Sequence, residues 1–508
     1  MNGKGDKGKY TSPHGSKIWE YLAIFVCTVL TLCIGILLGW NSPIVLLLLT
    51  PDSPIPVTVS DISTLAASMM FGQILAPLID IFAIDKIGRK YTLLFCGLPL
   101  VLSWCLIIVA KSVTMLYVAR FFSGISLRLG LMVIPIYLDE ISSIKTRGVN
   151  GALLGITFNL GILSSYIIVP YLTITTTATI FLIPSICFVV FFSFMPESPY
   201  YLAMKGKTEL AEIVLEKLRG KIDVSEELRT IVESLNNEEE NNKTRSGSTL
   251  KDIFMIKGNR RAFLIILLMV ICNHFSGYTT MLIYGQMIFK ETSSKMSHYI
   301  ANIIFGVTLL LSSVSMILIV HRLGRKPLIF VSGIMIGFCN LTIGSFFYVK
   351  DYINEDVSTY FLVPLIAFIM LLFFSNSISN LLFIMMSEIF STEVKPLSFC
   401  IIGIANGLFG FKQAEQAVDW SVNFEERVNF SQVTPQKPDS RSSSIIGPKT
   451  IRFLGRKYES KRDKDRDRAR ECEVVQRIRF MIGWLESSWH DSVQCSVSSG
   501  SHCCPVEQ

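Results

Sequence analysis

The sequence predicts an all-α membrane protein built from two six-helix halves, the second of them truncated in its eleventh span. Three observations carry this: a composition suited to lipid, apolar runs recurring at membrane-spanning length, and a charged motif repeated six runs apart. Of 508 residues, 50% are hydrophobic and only 17% charged, against about 25% charged in soluble domains. The mean hydropathy is +0.48. Eleven runs, at 18–40, 60–81, 91–110, 114–138, 149–170, 175–195, 261–289, 298–320, 327–349, 359–386 and 397–411, are candidate spans, and about 20 apolar residues cross the hydrocarbon core. The first run starts too late and is too long for a cleaved signal peptide. Residues 41–50 stay apolar around Pro43, so that first helix runs on or bends there.

The division that follows is a polar N-terminal segment 1–17, a six-span half 18–195, a hydrophilic linker 196–260, a second half 261–411 of about five spans, and a polar tail 412–508. Within the linker, Leu210, Val214, Leu215 and Leu218 fall at helical spacing over Thr208–Arg219. Asn236 to Ser248 is so polar that it reads as a disordered connection. The tail contains the charge run Arg456 to Arg470. It reads as disordered, or as unrelated sequence joined by mis-splicing. Asp463, Asp465 and Asp467 interrupt its basic residues, which favours a solvated run over a nucleic-acid site.

Basic residues orient the spans. Lys86, Arg89 and Lys90 follow the second span, Lys145 and Arg147 the fourth, Arg322, Arg325 and Lys326 the eighth, and Lys395 the tenth. All follow even-numbered spans and therefore share one face, expected to be the cytosol. The N-terminus joins them there with Lys4, Lys7, Lys9 and Lys17. Lys111, Lys290, Lys295 and Lys350 are the exceptions.

An internal repeat supports the two halves. Asp85-Lys-Ile-Gly-Arg-Lys90 joins spans two and three, and Arg322-Leu-Gly-Arg-Lys326 joins spans eight and nine. Glu140 precedes Arg147 by seven residues after span four, as Glu388 precedes Lys395 after span ten. Parallel repeats of this kind place a solute site near the bilayer midplane between the halves.

The repeated charges suggest a latch. Asp85, Arg89, Arg120, Glu140 and Arg147 are expected to tie helices together on the cytosolic side, with Arg325, Glu388 and Lys395 as the counterpart. Gly88 and Gly324 allow the tight turns required. Gly35 with Gly39, Gly151 with Gly155, and Gly333 with Gly337 read as close helix packing. Pro135, Pro170 and Pro184 read as bends or ends.

Polar side chains within spans are candidate solute contacts or helix-to-helix hydrogen bonds: Asn159, Ser164 and Ser165; Asn273, His274, Ser276, Thr279 and Thr280; Asn376, Ser379 and Asn380; and Asn406. His274 alone could couple to protons. With no Asp or Glu recognised deep within a span, uniport is preferred to proton symport. Eight cysteines, Cys27 through Cys400, lie in apolar runs without metal-ligand spacing. No catalytic constellation or nucleotide loop is present, so neither an enzyme nor a cofactor is expected.

In order along the chain, Asp85-x-x-Gly-Arg-Lys, Arg120-Phe-x-x-Gly124, Pro135-x-Tyr137-x-x-Glu140, Arg147-Gly148, Gly161-Ile-Leu-x-x-Tyr166, Pro196-Glu-Ser-Pro-Tyr-Tyr-Leu202, Ser276-Gly277 and Tyr284 resemble the sugar porter family. The resemblance covers about 18–411 and is nearest to the insect trehalose and glucose facilitators. It implies the major facilitator fold and facilitative transport of a hexose or trehalose by alternating access. It also implies a multi-pass plasma-membrane monomer, with a sugar and the bilayer as partners and no nucleic acid.

The resemblance places Asn273, His274, Thr279, Asn380, Phe383 and Asn406 as substrate-binding residues. Here the sequence departs from the family pattern. Gly155, Asn273 and His274 stand where the family carries glutamines, Thr279 where it carries asparagine, and Leu309 replaces another asparagine. Ser379-Asn-Leu-Leu-Phe383 replaces a proline-tryptophan run, and only Asn406 matches. The alternative is therefore a non-transporting sugar sensor or degenerate homologue.

Overall fold

The structure, a computed structural model, describes residues 17–50, 53–221, 223–244, 253–292, 297–349, 362–390, 394 and 397–414. Among these, 11 helices are long and apolar enough to cross a membrane. Contacts divide the chain into two units. The larger is Met1–Asn340 with Leu365–Glu426, and the smaller is Leu341–Pro364 with Arg427–Gln508. In the smaller unit, the rings of Phe346 and Phe347 meet edge to face with centroids 5.8 Å apart.

The first span is α1 (Ile18–Gly39) continued by α2 (Asn41–Leu48). The break falls at Trp40, and Pro43 sits in the first turn of α2, where a missing N–H costs nothing. Next come α3 (Val59–Ile87), α4 (Arg89–Val109), α5 (Val113–Ile141), α6 (Ile144–Ile168) and α7 (Ile174–Ser193). Pro135 lies within α5 and Pro184 within α7, while Pro170 sits in the short 3-10 turn that ends α6.

Two close helix pairs hold these spans. Gly35 and Gly39 of α1 face Gly161 and Ile162 of α6. A Cβ on Gly39 would come 2.7 Å from the Ile162 Cα. Gly72 of α3 and Gly124 of α5 likewise lie against the backbone of the opposite helix. Lipid offers no hydrophobic drive between helices, so such small-residue contacts, with their dense van der Waals packing, do the joining. The other predicted glycine pairs differ. Nothing lies within 4 Å of a Cβ built on Gly151, Gly333 or Gly337, and Gly155 meets only Asn380 and Ser313 at ordinary distance.

The linker forms α8 (Pro199–Met204), α9 (Thr208–Arg219) and α10 (Ser225–Thr244). In α9, Leu215 and Leu218 are buried while Leu210 is exposed. Helix α10 continues through Asn236–Thr244, which the sequence reading left disordered. No Gly or Pro interrupts Ser225–Thr244, and its glutamates are good helix formers.

The later spans are α11 (Lys257–Phe275) with α12 (Tyr278–Thr292), then α13 (His298–Leu323), α14 (Arg325–Tyr348), α15 (Leu362–Ile389) and α16 (Leu397–Ala414). Span seven breaks at Ser276-Gly277, where Gly277 has φ of 80°. Helix α16 extends three residues past the predicted end at 411.

Candidate functional site: an ion-pair clasp and a polar cluster between spans

The Gly-Arg-Lys repeat has a shared local cause. Gly88 has φ of 106° and Gly324 of 77°, each between the end of one helix and the first residue of the next. Left-handed backbone there favours glycine. The turn makes Arg89 the first residue of α4. Its Nε lies 3.0 Å from the Glu140 carboxylate at the end of α5, and its Nη1 lies 3.3 Å from Asp85 and 3.2 Å from the Ile84 carbonyl.

The Pro-Glu-Ser-Pro segment closes this clasp. Glu197 accepts the backbone N–H groups of Lys90 and Ser198, both at 2.9 Å, and so sits at the N-terminus of α4. The Tyr201 ring packs against the Arg89 guanidinium at 5.3 Å, and its hydroxyl donates to the Lys86 carbonyl at 3.0 Å. Tyr137 donates to the Pro196 carbonyl at 2.8 Å. Burial raises the Glu197 carboxyl above its ordinary range, against the pull of the backbone N–H groups and Arg89.

Arg120 does not join this clasp. It shares α5 with Glu140 but lies 20 residues away, about 30 Å of helix. It is buried against α1 and α2, where it donates to Asn41 and to the Leu37 carbonyl and covers the Trp40 ring at 5.1 Å. A small pocket beside it is lined by Trp40, Asn41, Ile62, Arg120 and Ile283. The side chains of Arg147 and Glu388, and all of Lys395, lie outside the described residues. Arg325 opens α14 directly after Gly324, as Arg89 opens α4.

Sequence reasoning missed a second clasp. Glu20 of α1 is fully buried and accepts from the Ser143 N–H at 2.9 Å and the Thr146 hydroxyl at 2.6 Å, at the start of α6. Arg219 of α9 donates to Glu20 at 3.2 Å and to the Ile141 carbonyl at 2.8 Å, and pairs with Glu227 of α10 at 2.6 Å. The linker helices are thereby tied to the ends of α1, α5 and α6. The only sequence signal was a charge at the start of an apolar run.

Between the clasps and the far ends of the helices lies an uncharged polar cluster. Three amides converge on one hydroxyl: Asn159 of α6, Asn376 and Asn380 of α15 donate to Ser313 Oγ of α13 at 2.7, 3.2 and 3.1 Å. Asn376 also donates to the Leu309 carbonyl at 3.0 Å and accepts from Tyr278 at 3.1 Å. A hydroxyl oxygen has two lone pairs, so three amide donors exceed what it can accept. Among the described residues, Asn159 Oδ1, both amide atoms of Gln286, Asn302 Nδ2 and the Tyr284 hydroxyl are buried without a hydrogen-bond partner.

The sugar (and other) transporter model matches residues 13–414. The chain belongs to that family. This sugar porter is 32% identical over 314 residues to the facilitated trehalose transporter Tret1 of Aedes aegypti, covering 61% of this chain and 38% of the relative. It is 31% identical to that of Culex quinquefasciatus over 61% of this chain and 60% of the relative, and 29% identical to that of Apis mellifera ligustica over 74% of each. The matches thus span less than two thirds of the two mosquito proteins' length. Its fold is that of the xylose transporter XylE from E. coli, in a partially occluded inward-open structure. The TM-score is 0.62 at 18% identity, covering 82% of this chain and 100% of that one. A XylE structure bound to 6-bromo-6-deoxy-D-glucose gives 0.64 at 20% identity, over 81% and 90%.

In this sugar porter the six sequence-predicted contact residues do not all meet. Asn273 accepts from Ser379 at 3.2 Å. His274 lies 3.1 Å from Asn406 and 3.3 Å from Gln413, whose amide donates to the His274 carbonyl and to Thr280. Asn380 belongs to the Ser313 cluster. Thr279 is half-buried, and Phe383 is 43% exposed. Gln413 was missed because the apolar run stops two residues before it. Ser313 was missed because a single serine within a span carries no pattern.

The expectation that no acid lies deep in a span is corrected by Asp80. The predicted span stopped at 81, but α3 runs on to Ile87. That leaves Asp80 buried at 1% exposure, seven residues, about 10 Å of rise, inside the helix end.

Proposed function

We propose that this chain carries a neutral sugar, a hexose or trehalose, across the plasma membrane by alternating access. The basic loops, the linker and the N-terminus would face the cytosol. The observation that carries the reading is the Ser313 cluster. Donors and acceptors from an early span (Asn159) and later spans (Ser313, Asn376, Asn380) meet in a buried, uncharged site with polar atoms to spare. Sugar hydroxyls both donate and accept, and amides answer both needs without a charge to strip of water. The Tret1 relatives supply the trehalose expectation, and the sugar-bound XylE structure is in keeping with it.

Proximity of the two clasps to helix ends fits a gate. Arg89–Glu140 and Glu20–Arg219 can hold the loop face of the early spans together while the bundles rock about the cluster. The case for facilitative uniport rested on the absence of a deep carboxylate, and Asp80 removes that ground.

Equilibrium binding tests the reading. Trehalose or D-glucose should raise the melting temperature of the purified protein, and Asn376→Ala should require about tenfold more sugar for the same shift. A shift with unchanged sugar dependence in both Asn376→Ala and Asn159→Ala would place the sugar elsewhere.

A further inference from the structure

Besides Arg120, which α1 and α2 hold, two charges inside the membrane have no part in either clasp or in the amide cluster. Asp80 of α3 is 1% exposed, and neither of its oxygens accepts a hydrogen bond from a described residue. Arg128 lies near the middle of α5, is 6% exposed, and has an Nε with no hydrogen-bond partner among the described residues. Each feels the other's charge. Charged side chains at such depth are costly and are kept for a function by default.

Their surroundings are complete enough to assign one. Among the described residues, the other titratable groups facing the pair are Cys96 of α4 and Cys400 of α16, both within its electrostatic reach. His274 of α11 also feels Arg128. Helix α16 roofs the pair. A Cβ on Gly403 would lie 2.8 Å from Arg128 Nη2 and 3.2 Å from its Nε, and Cys400 donates to the Pro77 carbonyl, one turn before Asp80, at 3.4 Å. The early spans supply both charges, and a late span supplies the lid over them. His274, bonded to Asn406 of the same late helix, links this lid to the polar cluster's side of the bundle.

We propose that Asp80 binds and releases one proton in each transport cycle, with Arg128 supplying the compensating charge when the proton leaves, so that sugar movement is coupled to a proton gradient. An ionised carboxylate under the α16 lid has one guanidinium in its field and no donor on its oxygens, so a proton removes a large charge cost. When α16 moves away, water reaches both groups and the proton can leave to it. The movement of α16 is the alternating-access motion proposed above, and the inference rests on that reading.

The test uses the full chain in proteoliposomes, with labelled trehalose and labelled D-glucose as probes. For one proton per sugar, each unit of imposed pH gradient supports about a tenfold accumulation. The wild type should accumulate sugar under the gradient. Asp80→Asn should exchange sugar across the membrane but accumulate none, and Asp80→Glu should restore accumulation. Accumulation in Asp80→Asn equal to wild type would overturn the proposal, as would wild-type exchange indifferent to the gradient. Loss of coupling in His274→Gln with coupling kept in Asp80→Asn would also overturn it.

A second readout needs no transport, so it separates failure of this proposal from failure of the sugar reading. The pH-difference infrared spectrum should contain a protonated-carboxyl carbonyl band that is missing in Asp80→Asn. If neither sugar exchanges, presence of that band still supports a proton site at Asp80, and its absence overturns it.

Discussion

Arg219 reaches back to Glu20, Nη1 to Oε2 at 3.2 Å, and so fastens the linker to the first helix of the bundle. Both side chains are buried, at 8% and 0% exposure. Removing Arg219 leaves the buried Glu20 carboxylate without its countercharge, at a cost of about 3–5 kcal/mol, whereas removing Glu20 leaves Arg219 still paired with Glu227. Glu20→Gln and Arg219→Gln should each speed hydrogen exchange at α9 and α10 amides without comparable change in α4. Unchanged protection in α9 would show that its docking does not depend on the pair.

The Arg89 clasp offers a comparison of two carboxylates on one guanidinium. Glu140 is 14% exposed and Asp85 is 59% exposed. Coupling between Arg89 and Glu140, measured on transport rate in a double-mutant cycle of Arg89→Ala and Glu140→Ala, should exceed the ~0.5 kcal/mol of a surface pair. Asp85→Asn should fall within that figure. Additive effects of Arg89→Ala and Glu140→Ala would show that the clasp does not act as a unit.

Much of this arrangement was legible in the sequence. Span number, the Gly88 and Gly324 turns and the pairing of Arg89 with Glu140 follow from hydropathy and from a repeat in which two weak motifs support each other. What was not legible depends on three-dimensional neighbours. Glu20 looks like an ordinary charge at a helix end until Arg219 arrives from nearly 200 residues away. Asp80 looks like a charge at the end of a span until α3 is seen to continue to Ile87. The Gly35 and Gly337 pairs have the same spacing, yet only the former faces another helix.

That last contrast is testable. Gly35→Ala forces a Cβ toward the Phe158 carbonyl of α6 and should destabilise by about 1–3 kcal/mol, the usual cost of overpacking. Gly337→Ala meets open space and should be neutral, or stabilising by up to ~1 kcal/mol through helix propensity. Thermal unfolding in detergent reads both. Equal losses at the two sites would contradict the helix pairing described.

Glu197 gives a pH dependence with a definite sign. Its carboxyl titrates above the ordinary range because burial disfavours the charged form. Its contribution to stability is therefore fullest below the ordinary carboxylate value and is lost as pH rises through the folded value. Glu197→Gln, which keeps an acceptor for the Lys90 N–H, should remove this component of the stability-pH curve. A curve of unchanged shape would mean that Glu197 is not the group responsible.

The central claim is that a sugar passes between the early and late spans at the Ser313 cluster. Counterflow of labelled trehalose and labelled D-glucose in proteoliposomes tests it most directly. The account predicts saturable counterflow of at least one of the two. Asn159→Ala and Asn376→Ala should each weaken apparent affinity on the order of tenfold, as expected when a hydrogen bond worth about 1.5 kcal/mol is lost. Absence of counterflow for both sugars in a correctly folded wild-type protein, or unchanged affinity in both variants, would contradict it.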